Sequence, residues 1–423
     1  MIKIIKAGPD TRDAIFSRVV PEVDVASIVK NIIEDVRERG DEALLDMTEK
    51  FDGVRPDPIR VSQEEIDEAY SLIDPEFRSI LEEAAENIRT FHKNQIRSGF
   101  KLEYPDGRVL GQKITPIERV GLYVPGGSAC YPSTVLMDSI PAKIAGCSKI
   151  QIVTPPNPDG KIDPKILAAA DIAGVTDIFK AGGAQAVAGL AYGTESIPPV
   201  DKIVGPGNAF VAEAKKQVFG KVAIDMIAGP SEIMIIADES ARPDYLAADL
   251  LSQAEHDKMA SAVLITDSMS LAEAASAEVE KQLSVLPREE IARASIDKNG
   301  KIIVCSLDEA VYYANWLAPE HLELCVKDPF AMLDKIENAG SVFLGNYCPE
   351  ALGDYMAGPN HTLPTGGTAR FSNPLSVDDF IKKTQFSYFT EEALSTLADK
   401  VSYFAKLEGL DAHARSVDVR KKK

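Results

Sequence analysis

Apolar residues follow two different patterns along the chain, and the change falls near Arg119. Before it, apolar residues recur three or four positions apart, as in Ile28–Val36 and again from Pro75 to Asn94, which predicts amphipathic helices. After it, short continuous apolar runs alternate with segments of helical spacing. Strands that are apolar on both faces and are separated by helices are typical of a parallel sheet covered on both sides. The pattern therefore predicts an α/β fold.

Two successive series of such strands predict two α/β units, with a break near residues 228–231. The strands predicted in the first series are 120–124, 150–153, 178–179, 203–204 and 222–224. Those predicted in the second are 233–236, 263–265, 302–304, 322–324 and 342–344. The clearest helices between them are predicted at 133–145, 209–218, 245–256 and 271–283. After Pro374 the spacing is again helical, so we predict a helical C-terminal extension.

Composition narrows the class of protein. The 423 residues exceed one ordinary hydrophobic core, and 45% hydrophobic with 26% charged residues is typical of a soluble globular chain. A formal net charge of −19 argues against a nucleic-acid or anionic-membrane partner, and no apolar run is long enough to span a bilayer. Pro9 and Asp10 interrupt the N-terminal apolar residues, which argues against a signal peptide. Five cysteines without a CxxC spacing favour the reducing cytoplasm.

Four of the five histidines lie in short polar clusters, which favours a metal-dependent enzyme. The clusters are Ser252-Gln-Ala-Glu-His256, Ala318-Pro-Glu-His321, Gly358-Pro-Asn-His361 and Asp411-Ala-His413. Gln253 and His256 are three apart on a predicted helix, so they share a face and could offer one oxygen and one nitrogen to a metal ion. Asp354, His361 and His413 could complete a nitrogen and oxygen shell suited to zinc, manganese, iron or cobalt.

The alternative is that this glutamine and histidine are ordinary surface residues. From residue type alone, Glu255 would be chosen before Gln253, because carboxylates outnumber amides as metal ligands.

Glu320 and His321 follow a proline in the turn before a predicted strand, where both side chains can reach one cleft. A glutamate that activates water beside a histidine that accepts an alcohol proton is a workable acid–base pair. Taken alone, the same residues favour an ordinary exposed turn.

Three glycine turns follow predicted strands, at Gly126-Gly127, Gly182-Gly183 and Gly205-Pro-Gly-Asn208. Turns at the carboxyl ends of parallel strands form the usual ligand crevice of an open α/β sheet, so together they favour a nucleotide or another extended ligand. The alternative is that these glycines only make tight turns. The chain has no complete GxGxxG and no phosphate-binding GxxxxGK[ST] motif. We considered Cys130 and Cys147 as thiolate nucleophiles and predict structural roles for both.

The ordered set of motifs resembles the histidinol dehydrogenase family, from about residue 20 to the tail. The strings that carry the resemblance are Val120-Gly-Leu-Tyr-Val-Pro-Gly-Gly127, Gly182-Gly-Ala-Gln185, Val204-Gly-Pro-Gly-Asn-Ala-Phe210, Ala228-Gly-Pro-Ser-Glu232, Leu251-Ser-Gln-Ala-Glu-His256, Ala318-Pro-Glu-His-Leu-Glu323, Gly353-Asp354 and Gly358-Pro-Asn-His-Thr-Leu-Pro-Thr-Gly-Gly367. The resemblance implies oxidation of L-histidinol through L-histidinaldehyde to L-histidine, the last steps of histidine synthesis, with two NAD reduced.

The resemblance also implies a role for each matched residue. The positions that match zinc ligands are Gln253, His256, Asp354 and His413, the last supplied by the partner subunit of a tail-exchanged homodimer with shared active sites. Glu320 and His321 match the acid–base pair. The positions that match NAD contacts are Tyr123, Gln185 and Asn208. Those that match substrate contacts are Ser231, His361 and Glu408, together with the metal ligands and His321.

The fold implied is two incomplete Rossmann-like parallel-sheet domains with helical N- and C-terminal extensions. We predict an N-terminal extension at 1–21, one α/β domain with the metal and acid–base residues at 22–119 and 231–374, an NAD-contacting domain at 120–230, and a C-terminal helical tail at 375–423 that reaches the partner subunit.

Three other functions compete with this interpretation. A relative that oxidises another amino alcohol would carry the same motifs, although Glu408 and His361 favour a substrate with an amine and an imidazole. A zinc hydrolase could use Glu320 to activate water, but it would leave Tyr123, Gln185 and Asn208 without a role. A non-catalytic sensor would have no need for a base at His321.

Overall fold

A computed structural model describes residues 2–8, 25–126 and 130–421. The strands are β1 Lys3–Lys6, β2 Phe100–Glu103, β3 Val109–Pro116, β4 Arg119–Tyr123, β5 Lys149–Thr154, β6 Asp177–Lys180, β7 Lys202–Val204, β8 Ala223–Ile224, β9 Glu232–Ala237, β10 Ser261–Thr266, β11 Lys301–Val304, β12 His321–Cys325, β13 Ser341–Leu344 and β14 Ile381–Tyr388. Most of the predicted extension at 1–21, and Gly127 of the first glycine turn, lie outside the described residues.

The helices are α1 Ala26–Arg39, α2 Asp41–Asp52, α3 Gln63–Leu72, α4 Pro75–Lys93, α5 Pro132–Ala145, α6 Pro164–Ala173, α7 Gly183–Tyr192, α8 Ala209–Val218, α9 Pro243–Ala254, α10 Met269–Leu283, α11 Glu289–Asn299, α12 Leu307–Leu317, α13 Pro329–Leu333, α14 Glu350–Tyr355, α15 Glu391–Leu407 and α16 Asp411–Asp418. Two short 3₁₀ helices are Thr368–Arg370 and Val377–Phe380. In the part of the chain that is described, no helix is long and apolar enough to cross a membrane.

The first of two compact units comprises Met1–Gln95 and Glu118–Phe380, and it contains two parallel sheets. The five-stranded sheet has the order β6-β5-β4-β7-β8, and the six-stranded sheet has the order β1-β11-β10-β9-β12-β13. Every strand pair in both sheets is parallel. The central strands are buried along most of their length, as the largely apolar β9 shows. The predicted α/β fold with parallel sheets is therefore confirmed.

Each sheet repeats the first five positions of the doubly wound strand order. Numbered from its first strand after residue 118, each reads 3-2-1-4-5, and the six-stranded sheet adds β1 beside β11. In the first sheet, successive strands are added on one side of β4 up to β6 and then on its other side from β7. In the second sheet the same switch of side occurs between β9 and β12. Ligands of open α/β sheets bind at such switch points, beyond the carboxyl ends of the strands.

The N-terminal helices pack on the five-stranded sheet. Val29, Ile33 and Val36 of α1 and Leu44 of α2 belong to the same buried cluster as Phe179 of β6 and its neighbours. We had grouped residues 22–119 with residues 231–374, so this packing is a departure from the predicted grouping. Helical spacing identifies the apolar face of an element but not which distant surface covers that face.

The second compact unit comprises Ile96–Ile117 and Ile381–Lys423. It contains the antiparallel sheet β14-β3-β2 followed by the helices α15 and α16. The prediction that the chain is helical after residue 374 is therefore wrong for β14, which pairs with β3 along eight residues. The sequence of β14 has no continuous apolar run, and its partner strand lies far away in the sequence, so its pattern gave no strand signal.

Candidate active site

The carboxyl ends of β4, β6 and β7 meet at one crevice. Tyr123 ends β4, is 4% exposed, and its hydroxyl accepts a hydrogen bond from the Gly183 N–H at the start of α7, with an N···O distance of 3.0 Å. Burial is the main reason that the pKa of Tyr123 is raised to about 12. Gln185 is buried in the first turn of α7. The structure thus brings together two of the three residues predicted to contact NAD.

The turn after β7 places the third one. Asn208 precedes α8, and its Oδ1 accepts from the N–H groups of Phe210 and Val211 at 3.0 and 3.2 Å. This is a side-chain cap of the helix N-terminus. Gly205 has a φ of +115°, and a Cβ there would lie 2.2 Å from the Tyr123 carbonyl oxygen. Glycine is therefore required where the turns after β4 and β7 touch.

The predicted acid–base pair lies at the amino end of the six-stranded sheet. Glu320 immediately precedes β12, and His321 is its first residue; both are buried, at 7% and 5% exposure. The backbone of Glu232, the first residue of β9, holds both side chains. Its N–H donates to Glu320 Oε2 at 2.8 Å, and its carbonyl lies 3.0 Å from His321 Nδ1. An exposed turn, the competing interpretation of these two residues, is excluded.

The contact with Glu232 fixes the tautomer of His321. A carbonyl oxygen only accepts, so Nδ1 carries the proton and Nε2 is the basic nitrogen of the neutral ring. Nε2 is buried without a hydrogen-bond partner among the described residues, 3.8 Å from Glu350 Oε1. Burial lowers the pKa of His321, against the opposing effect of Glu350. The ring therefore presents a free basic nitrogen to the site.

Glu320 is a carboxyl group in a dry environment. Burial raises its pKa well above the usual range, the Glu232 N–H opposes that shift, and the nearby carboxyls of Glu232, Asp354 and Glu350 add to it. A carboxyl with a raised pKa is a stronger base than an exposed one once it is ionised, which suits removal of a proton from water.

Two carboxylates project from α14. Glu350 and Asp354 are four residues apart and share a face of this short helix. One donor atom from each, together with one from His321, lie within 4.8 Å of one another, the spacing of a metal-binding group. Burial, followed by the Glu350 carboxyl, raises the pKa of Asp354 to about 9. A cation at this position would relieve the repulsion between the two carboxylates.

Sequence reasoning missed Glu350. The signal that could have identified it is the four-residue spacing to Asp354, which places both carboxylates on one face of a helix. Glu350 is also well anchored. Its N–H donates to Glu323 Oε1 at 2.8 Å, and Ser252 donates to its Oε2 at 3.0 Å.

Gln253 and His256 approach the same group from α9. Gln253 is 1% exposed, and its Oε1 is buried with no hydrogen-bond partner in the described part of the chain. Buried polar atoms are normally paired, so this oxygen is available as a ligand for a cation. His256 lies just past the end of α9, and its charge is among the influences that lower the pKa of both His321 and His361. These residues fit a divalent metal ion bound by nitrogen and oxygen.

His361 is a further histidine of the site and lies beside Asp354. Its Nδ1 lies 3.2 Å from the Asp354 carbonyl, which only accepts, so Nε2 is the acceptor for the Thr134 hydroxyl at 3.3 Å. Burial lowers the pKa of His361 to about 4. Ser231 precedes β9 and is partly exposed beside Glu232.

Glu408 and His413 lie in the second unit. Glu408 caps the C-terminus of α15, and His413 lies in α16; both are exposed within this chain. Their predicted roles in substrate and metal binding depend on a partner subunit.

The cysteines are free thiols, and burial raises the pKa of Cys130 to about 12 and that of Cys147 to about 11. A thiol with such a pKa is protonated near neutral pH and is a poor nucleophile. This agrees with the structural roles predicted for both.

Comparison with known proteins places the chain among relatives. Residues 18–421 match the family model described as histidinol dehydrogenase. The histidinol dehydrogenase of Geobacillus kaustophilus (strain HTA426) is 56% identical over 396 residues, and that of Bacillus subtilis (strain 168) is 54% identical over 396 residues, each alignment covering 93% of both chains. The crystal structure of histidinol dehydrogenase from Elizabethkingia anophelis matches 99% of this chain and 98% of its own, with a TM-score of 0.95 and 41% identity.

Fold, site and relatives together define an α/β oxidoreductase with two parallel sheets. The chain belongs to the histidinol dehydrogenase family. The resemblance drawn from its motifs is thereby confirmed.

Proposed function

We propose that the chain catalyses the zinc-dependent, NAD-linked, four-electron oxidation of L-histidinol through L-histidinaldehyde to L-histidine. The observation that carries this proposal is the unpaired basic Nε2 of His321 beside the buried Glu320, next to the carboxylates of α14. An alcohol oxidation needs a base for the hydroxyl proton, and an aldehyde oxidation needs a base for water. These two residues supply one of each.

The crevice at β4, β6 and β7 is the proposed NAD site. Tyr123 and the Gly183 N–H hold two of its turns together, and the Asn208 amide group remains at the exposed N-terminus of α8 after its oxygen has capped the helix. Gln185 lines the first turn of α7. Each NAD bound there would accept one hydride, so the two oxidations would consume two NAD in succession.

The proposed zinc ligands are Gln253, His256 and Asp354, with His413 of the partner subunit. The unpaired Oε1 of Gln253 and the crowded carboxylates of α14 support a cation here. A zinc ion held by these residues would supply Lewis-acid binding for the imidazole and amine of the substrate, which would help to position the carbinol carbon. The role of these four residues is thus to position the substrate.

His321 acts first. Nε2 accepts the proton of the alcohol as the first hydride leaves, while Nδ1 keeps its hydrogen bond to the Glu232 carbonyl. Because burial lowers the pKa of His321, the ring enters the step in its neutral form.

Glu320 acts second. Its carboxylate takes a proton from water, which attacks the aldehyde carbon, and the hydrate then loses the second hydride. The Glu232 N–H keeps Glu320 in place through both steps. Ser231, His361 and Glu408 contact the substrate in this proposal, Glu408 from the partner subunit's tail.

We also propose a cytoplasmic homodimer whose subunits exchange their C-terminal tails. Exposed apolar side chains on α15 support a partner for this unit, among them Tyr403, Phe404 and Leu407, each at least 65% exposed in the single chain.

The test is the amount of NADH formed per L-histidinol consumed, followed by absorbance with and without a chelator. Two NADH per substrate, lost on chelation and restored by zinc, is the expected result. One NADH per substrate would contradict the role given to Glu320, and none would contradict the substrate assignment.

A further inference from the structure

A buried polar cluster joins the two sides of the site and takes no part in the steps above. Its centre is Asp138 of α5, which is 0% exposed. Asp138 Oδ1 accepts a hydrogen bond from the Thr362 hydroxyl at 2.9 Å. Its Oδ2 is buried, without a hydrogen-bond partner among the described residues. A carboxyl group in such a place is costly unless it holds something in position.

On one side, α5 is hydrogen-bonded to the segment that carries His361. Thr134 donates to His361, the Asn360 side-chain amide donates to the Met137 carbonyl at 2.6 Å, and Thr362 donates to Asp138. Positions 134, 137 and 138 share one face of the helix, so three consecutive residues of the segment are each bound to α5.

On the other side, Asp138 abuts the turn after β7. A Cβ at Gly205 would lie 3.1 Å from Asp138 Oδ2, so the carboxyl is in close contact with the glycine backbone. The same glycine is held by a buried ion pair between Lys215 and Asp225. Lys215 Nζ donates to the Gly205 carbonyl, and the Gly205 N–H donates to Asp225 Oδ2, both at 2.8 Å. This turn leads directly into Asn208.

We propose that Asp138 is a positioning residue that keeps the 360–362 segment in register with the turn 205–208, and so aligns the bound alcohol with the nicotinamide. The inference rests on the proposed function, because it takes the first segment as substrate-contacting and the second as NAD-contacting. Burial and the nearby Asp225 raise the pKa of Asp138 to about 8, so its neutral form can contact the turn without repelling Asp225.

The test compares Thr362→Val and Asp138→Ala with Thr48→Val. Thr48 is also buried and donates to a main-chain carbonyl at 2.8 Å, but it lies in α2, so it is a matched loss of one threonine hydrogen bond. We expect both site variants to lower kcat about tenfold, the effect of one misplaced buried hydrogen bond, with each KM changed less than about threefold. The primary isotope effect with carbinol-deuterated L-histidinol should rise, because hydride transfer then limits the rate.

Two further variants sharpen the result. Asp138→Asn keeps a neutral side chain with an acceptor for Thr362, and we expect it to keep kcat within about threefold of the wild type. The double variant Asp138→Ala with Thr362→Val should lose no more than either single variant, because both remove the same contact.

The inference is overturned if Thr362→Val and Asp138→Ala lower only the melting temperature, as Thr48→Val does, and leave kcat and the isotope effect unchanged. If Asp138→Ala fails to fold, the isosteric Thr362→Val decides alone. Failure of the proposed function would instead show in the wild type, as absence of NADH from L-histidinol.

Discussion

At the scale of single residues, burial governs the chemistry of the site. It raises the pKa of Glu320 and lowers that of His321, because burial disfavours the charged form of each side chain. Neither shift could be predicted from the sequence, where this pair, taken alone, favoured an exposed turn. The motif predicts an acid–base pair at these positions, but it does not predict their buried environment.

We expect Glu320→Gln to uncouple the two oxidations. Glutamine keeps the hydrogen bond from the Glu232 N–H but cannot take a proton from water, so the second oxidation should slow at least about 100-fold while the first persists. NADH per substrate should fall towards one, with L-histidinaldehyde trapped by a carbonyl reagent. Glu290→Gln, which removes only an exposed pair with Lys258, is the matched control and should behave as wild type. A full-rate second oxidation in Glu320→Gln would exclude this role.

Asp138 should also make the free energy of unfolding depend on pH. Its folded pKa of about 8 lies above the ordinary value of 3.8, so the folded chain holds a proton that the unfolded chain releases. The stability from this proton is fully present below about pH 4 and is lost as pH rises through about 8. When the pH is raised from 5 to about 9, the Asp138→Asn variant should therefore lose less folding stability than the wild type loses. Melting curves across that range measure this, and parallel curves for the two proteins would contradict it.

At the scale of elements, the hydrophobic patterns of the sequence predicted most helices and strands. They missed contacts between residues that are far apart in the sequence. The runs that became β4, β9 and β10 were recognisable because both faces of each strand are largely apolar. The strand β14 was not, because it is polar and its partner is distant. Glu350 was missed for a related reason, since only the folded helix α14 brings it beside His321.

We expect Gly205→Ala to destabilise the chain more than Gly220→Ala. Both glycines have a positive φ, so each alanine carries a similar strain of about 1–2 kcal/mol. Only at Gly205 would the new methyl group also meet a carbonyl oxygen at 2.2 Å, while the space around Gly220 is open to 4 Å. Thermal unfolding gives the comparison. Equal losses at both positions would show that the turns after β4 and β7 are not in the tight contact described.

At the scale of the whole molecule, the proposed site combines opposite edges of two sheets with the same strand order. The proposed NAD site lies at the carboxyl ends of one sheet, and the proposed acid–base pair lies at the amino end of the other. Fold class alone would have placed both at carboxyl ends. The motifs predict these two residues as a pair, but only the structure shows at which edge of the sheet they lie.

The proposed tail exchange predicts complementation between two variants that each fail to complete the oxidation to L-histidine. In a mixed dimer of Glu320→Gln and His413→Ala chains, one site receives both lesions and the other receives neither. Unfolding and refolding equal amounts together should therefore restore about a quarter of the wild-type rate of L-histidine formation, because half of the dimers are mixed and each has one intact site. Mixtures that stay as inactive as their components would indicate that each chain builds its site alone.

The backbone contact between Glu232 and His321 makes the tautomer of His321 insensitive to mutation at position 232. Every amino acid carries a main-chain carbonyl, so no substitution at position 232 removes the group that holds the proton on Nδ1. A base whose tautomer were set by a neighbouring carboxylate or amide side chain would be exposed to point mutation at that neighbour. In this protein the position of the proposed basic nitrogen, His321 Nε2, depends on the path of the main chain. It can therefore persist through many changes of side chain at position 232.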